Sequence, residues 1–285
     1  MITHVSDTAL WVAAFRARET ARPDAIFRDH LAARLAGERG EHILESIPHT
    51  EAMAFALAIR TVAIDRLVQE TIALGVDTVI NIAAGMDTRP YRLALPQHLR
   101  WIEIDYPHVL EYKEAQLKDE RPNCQLERIP ADLADASQRR KLFADLGART
   151  KNATIITEGF IAYLKNDDAA AISHDLFGIP SFRYWIQDFY QGKKRNSRHS
   201  REIAKHLENA PWQFTVSNPV EWFSEHGWKV HQKLFVMDEA DRVGRDFPPL
   251  FPWHLLLRAF PRTIRKLGNK SYGYVTLTHP AGSIS

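Results

Sequence analysis

Two short apolar runs joined by a compact turn constrain this chain more than anything else in it. They are Asp77-Thr-Val-Ile-Asn-Ile-Ala-Ala-Gly-Met-Asp-Thr-Arg-Pro-Tyr-Arg-Leu93 and Trp101-Ile-Glu-Ile-Asp105. Thr78, Val79, Ile80 and Ile82 form the β-branched run of a strand buried on both faces of a parallel sheet. Ala83, Ala84 and Gly85 end that strand with residues too small to obstruct a ligand, and a short helix should follow. A second strand over Trp101 to Ile104 then delivers Asp105 about 20 residues beyond the turn, where a nucleotide-binding βαβ unit places a carboxylate on ribose hydroxyls.

The turn is poor in glycine, and that narrows the ligand. A dinucleotide fingerprint needs several glycines so that the backbone and a helix N-terminus can close on a pyrophosphate. Only Gly85 stands here. A ligand with a ribose and no phosphate fits better than NAD or FAD, and S-adenosylmethionine (SAM) is the leading case.

Three motifs in order carry a family resemblance: Asn81-Ile-Ala-Ala-Gly-Met-Asp-Thr-Arg-Pro-Tyr-Arg92, Glu103-Ile-Asp-Tyr-Pro107 and Thr157-Glu-Gly-Phe-Ile-Ala-Tyr-Leu164. They resemble the bacterial branch of the leucine carboxyl methyltransferase family from Thr8 to about Pro280, most weakly between Tyr190 and Pro219. The resemblance implies a Rossmann-like α/β class I methyltransferase. Its seven-stranded sheet would be mostly parallel with an antiparallel last strand, under a cover of N-terminal helices. It implies SAM as cofactor, S-adenosylhomocysteine as product, and a small-molecule carboxylic acid as acceptor, as in bacterial relatives of polyketide and related pathways. Arg60 resembles the arginine that binds the cofactor's carboxylate, and Glu158 the glutamate beside its amino group. Asp132 and Leu133 match the adenine-binding strand end. Ala83, Gly85 and Asp105 complete the expected cofactor set. Arg60 is also readable as a surface arginine, solvated or paired with Asp65, and Asp132 as a helix N-cap.

Composition excludes several other classes. The chain has 285 residues, 45% hydrophobic and 25% charged, enough for one large core. Its 37 Lys+Arg against 35 Asp+Glu give a net charge of +2 and no reason to expect nucleic acid or an anionic membrane as partner. One cysteine, Cys124, rules out an internal disulfide and a cysteine-rich metal site. No leader or membrane-spanning run is read at the N-terminus or elsewhere, so a cytoplasmic protein is expected. The sequence is silent on oligomeric state.

Read in order, Ser6-Asp7 should cap a helix through Phe15, and Pro23-Asp24 should open another that Gly37 stops. These helices either cover the cofactor or only flank the sheet. Thr50 should cap a long apolar helix, Glu51 to Leu74, packed on the sheet. Residues 1–75 are thus expected as a helical cover and 76–285 as the core, with insertions near 190–218 and 238–270, in one structural unit. Further strands are expected at 125–129, 153–157, 182–186 with Asp188-Phe-Tyr190 at its end, 228–236 and 272–278. Asp167-Asp168 should cap a helix to Phe177, and Asn218-Pro219 should start a short one. Lys193-Lys-Arg195 with Arg198, His199 and Arg201 form a basic run that reads as a solvated loop or an anion-binding segment. The aromatic residues of Phe247-Pro-Pro-Leu-Phe-Pro-Trp253 either pack a loop or line a substrate pocket.

No His-x-x-x-His pair with an accompanying carboxylate, no Gly-x-Ser-x-Gly elbow and no phosphate loop occurs, so metal, hydrolase and kinase chemistry lack local support. Methyl transfer from a sulfonium asks mainly for alignment. A carboxylate acceptor, ionised near neutral pH, needs no general base, whereas a phenol would. Phe160, Tyr163, Asp188 and Tyr190, at the ends of the fourth and fifth strands, are the expected substrate wall, with Tyr163, Asp188 and Tyr190 as positioning candidates; each could equally be packing. A hydroxyl methyltransferase and a catalytically silent SAM-binding protein are the alternatives on the same fold.

Overall fold

A computed structural model of the protein describes residues 6–47, 50–191, 211–248 and 271–280. Seven strands form one sheet: β1 (Thr78–Ile82), β2 (Arg100–Asp105), β3 (Gln125–Pro130), β4 (Ala153–Thr157), β5 (Phe182–Tyr190), β6 (Lys229–Phe235) and β7 (Tyr272–Thr278). Their order is β3-β2-β1-β4-β5-β7-β6. β7 runs antiparallel to both neighbours, while β1 to β5 pair in parallel. β1 and β4 are buried along their whole length, as the continuous apolar runs demand.

Helices cover both faces, and the short α4 (Arg89–Arg92) follows the turn after β1. On one side α3 (Glu51–Ala73) lays Phe55, Ile59, Ile64 and Leu67 on Val79, Trp101, Ile156, Ile186 and Tyr274. On the other, α6 (Ala136–Ala148) and α7 (Asn166–Phe177) bring Phe143, Leu146, Ile172 and Leu176 against Ile80, Ile102, Ile155 and Trp185. A third apolar cluster joins α1 (Asp7–Thr20) and α2 (Ala32–Ser46) to Met86 and to Val109 and Leu117 of α5 (Pro107–Leu117). Strand order reverses between β1 and β4, and at such a switch point the two crossovers leave a crevice beyond the strand carboxyl ends.

Several expected boundaries move. α1 continues past Phe15 to Thr20. No helix starts at Pro23-Asp24; residues 21–31 are turns and bends, and α2 begins at Ala32. Gly37 does not stop it but kinks it, with φ 56°. Thr50 gives α3 no side-chain cap, and Lys165 rather than Asp167-Asp168 precedes α7. Asn218 does cap its helix, accepting from the Glu221 N–H. Glu103, inside one of the family-like motifs, is fully buried and is held by Lys113 at 2.7 Å and Arg128 at 2.9 Å, so its charge ties β2 to α5 and β3. The basic run 193–201 lies outside the described residues, as does most of the proline-rich segment, although Phe247 meets Phe55 edge-on at 5.1 Å.

Candidate active site

The turn after β1 is strained. Ala83 has φ 53° and Gly85 φ 47°, in the left-handed region that penalises a Cβ. Bent this way, the backbone donates the Gly85 N–H to Asp105 Oδ2 at 2.7 Å, while the Tyr106 N–H donates to Oδ1 at 2.7 Å. Burial pushes the Asp105 carboxyl above its usual range, against the opposing pull of those two N–H groups. Two donors leave lone pairs on both oxygens, so the carboxylate is fixed in place and still able to accept from a ribose diol.

Asp132 is exposed at the end of β3, beside Tyr106, whose phenol is pushed up by burial and by this carboxylate. It is not a helix cap. Asp135 caps α6, accepting from Ser137 and Gln138, while Asp132 accepts from the Ala134 N–H at 3.0 Å and from the Tyr106 hydroxyl. Leu133 is buried on the α6 side, and its carbonyl accepts from Arg139 at 2.7 Å.

The second half of the crevice is ionic. α3 carries Arg60 under the ends of β4 and β5, where its Nε is 2.8 Å from Glu158 Oε1 and its Nη1 is 3.8 Å from Asp188 Oδ2. The Nε–H is buried and not aimed at any acceptor. Glu158 Oε2 meets Arg89 at 2.8 Å. Burial raises the Glu158 pKa, but Arg89 and Arg60 outweigh it and the carboxyl ends below its ordinary value. Asp188 accepts the Gly159 N–H at 2.7 Å and the Tyr272 hydroxyl at 3.4 Å. There burial wins, and the Asp188 pKa is raised despite Arg60. Tyr272 and Tyr274 pack at 5.5 Å between ring centroids; burial holds both phenols protonated, and the Tyr274 hydroxyl has no partner.

Behind this layer Asp65 binds Arg89 at 2.7 Å and Arg92 at 2.5 and 2.6 Å, so it is not the partner of Arg60. Asp87 takes Arg89 at 2.9 Å and Asn81 at 2.7 Å. In this connected cluster Arg60, Arg89 and Arg92 face Asp65, Asp87, Glu158 and Asp188. One carboxylate is in excess, which suits a ligand of net positive charge such as SAM, with its ammonium and sulfonium against one carboxylate.

The expected residues therefore gather in two groups, Gly85 with Asp105, and Arg60 with Glu158 and Asp188. The substrate wall is less united. Phe160 packs on the α6 and α7 side, Tyr163 packs against the α1–α2 cluster, and Tyr190 is 40% exposed. Tyr272 and Tyr274 were not anticipated. Their signal was the Tyr-x-Tyr spacing in the last strand, which puts both rings on one face. Among the described residues no group of three or more His, Cys, Asp and Glu could hold a metal ion, and no helix is long and apolar enough to cross a membrane.

Comparison with known proteins places the chain in a family. The family model for leucine carboxyl methyltransferase matches residues 9–176. A Streptomyces coelicolor protein assigned by name as an S-adenosyl-L-methionine-dependent methyltransferase is 31% identical over 244 residues, 78% of this chain and 82% of that one. A similarly named protein of Mycobacteroides abscessus is 26% identical over 276 residues, 87% of this chain and 90% of its own. Among solved structures, a DUF574 family protein from Streptomyces avermitilis superposes with TM-score 0.60 at 14% identity, covering 94% of this chain and 97% of its own. A protein from Thermobifida fusca, described as a methyltransferase, gives 0.58 at 15% identity, covering 97% and 94%. At such identities the solved structures speak for the fold alone. A model match over more than half of the chain, with relatives at this identity over most of its length, decides the family: the chain belongs to the leucine carboxyl methyltransferase family of SAM-dependent methyltransferases.

Proposed function

We propose that this methyltransferase esterifies a carboxylate on a small molecule. One observation carries the reading: the Tyr272 and Tyr274 phenols, packed beside Asp188 and Arg60, stay protonated. Burial pushes both up, so neither can act as a base near neutral pH. Three of the described histidines are engaged elsewhere, His108 with Ser6, His226 with the Trp222 carbonyl and His279 with the Phe177 carbonyl. Bound SAM supplies a methyl group already activated on sulfur. Arg60 and Glu158 would hold the charged ends of its amino-acid moiety, Gly85 would pass close to it, and Asp105 would take the ribose. Asp132 and Leu133 would border the adenine, and Asp188, Tyr163, Phe160 and Tyr190 would flank the acceptor. An ionised carboxylate then needs only alignment, because no proton has to leave.

The competing reading, a phenol or alcohol acceptor, draws on Asp188, whose raised pKa suits a base. The two separate in single-turnover transfer against pH, with labelled SAM and a panel of carboxylic acids and phenols. A carboxylate acceptor gives a rate nearly flat from about pH 6.5 to 8.5 and a product that mild base hydrolyses. A base-stable methyl ether with a rising limb would sink the ester assignment. SAM binding with no transfer to any acceptor would point to a silent cofactor-binding protein.

A further inference from the structure

The cofactor turn is held from outside the sheet by one buried carboxylate that belongs to no expected site. Asp29 lies in the bend before α2, 1% exposed. Its Oδ2 receives Arg16 Nε of α1 at 2.8 Å and the Thr88 hydroxyl at 2.7 Å, and its Oδ1 receives the Leu31 N–H at 3.3 Å. Arg16, so oriented, reaches with Nη2 to the Met86 carbonyl at 2.5 Å. Met86 and Thr88 are buried and flank Asp87, whose N–H bonds the Ala84 carbonyl at 3.0 Å. The inner half of the turn is tied to β2, through the Ala84 N–H to the Ile104 carbonyl and the Gly85 N–H to Asp105, while Met86 and Thr88 are tied to Arg16 and Asp29. α1 also lies over that glycine, close enough that a Cβ on Gly85 would stand 2.9 Å from the Ala9 Cβ.

A carboxylate this deep is costly unless its neighbours compensate, and burial is the largest influence on it. Arg16 and Thr88 outweigh the burial, and Asp29 stays ionised. A simple docking contact between a helix pair and a sheet would be served more cheaply by apolar side chains. Here the charge is spent on the two residues that flank the cofactor turn. Left-handed backbone at Ala83 persists only where the surroundings over-determine it, and the Arg16–Asp29–Thr88 link is the outer part of those surroundings.

We infer that Asp29 is a positioning residue for cofactor binding: through Arg16 and Thr88 it holds the Met86–Thr88 backbone, and with it the Gly85 amide and Asp105, in the shape that receives SAM. The inference rests on the cofactor placement proposed above. It also couples the two parts of the molecule, because a ligand that settles the turn settles α1 through the same link.

The test uses S-adenosylhomocysteine, so no acceptor need be known. Calorimetry on Asp29→Asn, which keeps the shape and removes the charge, should show binding weakened about tenfold, and Thr88→Val, which removes one hydrogen bond, about three- to fivefold. Hydrogen exchange adds a readout that a merely structural role would not move. In the unaltered protein, α1 amides should gain protection when S-adenosylhomocysteine binds, and in Asp29→Asn that gain should shrink while the turn itself is still protected. A folded Asp29→Asn with unaltered affinity and unaltered α1 protection would overturn the inference, whatever its melting temperature. If Asp29→Asn does not fold, Thr88→Val decides by the same two measurements. Asp105→Ala, run in parallel, separates the two ideas: unaltered affinity there rejects the cofactor placement, whereas unaltered affinity in the Asp29 and Thr88 variants alone rejects the positioning role.

Discussion

Asp105 and Arg60 show how much a single side chain owes to its surroundings. Asp105 was predicted from spacing alone, and the two N–H groups that clamp it explain why its carboxylate can wait in a fixed pose. Losing charge-assisted hydrogen bonds costs roughly 1.5–3 kcal/mol, so Asp105→Ala should weaken SAM about ten- to a hundredfold in titration calorimetry. Unchanged affinity in a folded variant would remove Asp105 from the site. For Arg60, the Met variant should weaken SAM and S-adenosylhomocysteine alike, since both keep the carboxylate. Equal binding of SAM and decarboxylated SAM by the unaltered protein would contradict that role. Arg60 also holds Glu158, so its loss should cost stability too, and the ligand comparison isolates the binding part. Gly85→Val is a poor probe of the cofactor, because a side chain there also strikes Ala9 of α1 and must adopt φ 47°.

At the scale of elements, β7 is what brings Tyr272 and Tyr274 to Asp188. Its register pairs Tyr274 with Asp188 and Gly273 with Phe189 on one side, and Gly273 with Phe235 on the other. Gly273 is the tight point. A Cβ there would lie 2.3 Å from the Leu234 carbonyl oxygen and 2.9 Å from the Phe189 ring. The ring can tilt, but the carbonyl belongs to a paired strand. Gly273→Ala should therefore destabilise the protein by about 1–3 kcal/mol, seen as a lower urea midpoint, and should loosen the tyrosine pair. An unshifted midpoint would mean that β6 and β7 part more easily than their pairing suggests.

For the whole molecule, charge burial predicts a two-part response to acid. Asp105 and Asp188 have raised pKa values in the fold, so their ionisation opposes folding at neutral pH, and that cost is relieved as pH falls through those values. Glu158, Asp87 and Asp29 are lowered by buried guanidiniums from ordinary values of 4.5, 3.8 and 3.8. Their stabilisation is present above those ordinary values and is lost as pH falls through the depressed ones. Stability should thus hold or rise slightly on mild acidification and then collapse below about pH 4. Urea midpoints across a pH series check it, and a steady decline beginning at neutral pH would contradict the assignment for Asp105 and Asp188.

Local order along the chain could be read without its fold. Continuous β-branched runs mark strands buried on both faces, and a 20-residue offset from Gly85 to Asp105 is preserved because a short βαβ unit has little freedom to vary. The strands and the turn between them were legible for that reason, whereas the family was legible through the resemblance of the Asn81–Arg92, Glu103–Pro107 and Thr157–Leu164 motifs. Which charges meet is settled by packing between elements distant in the chain. Arg60 and Asp65 share one helix, but Arg89 and Arg92 occupy Asp65, leaving Arg60 to Glu158 and Asp188 at the ends of β4 and β5. Asp29, Arg16 and Thr88 are separated by up to 72 positions, and Tyr272 reaches Asp188 only through an antiparallel register. Contacts of this kind depend on burial, where an unpaired charge is costly and the fold's packing selects the partner; nothing in local spacing records that choice.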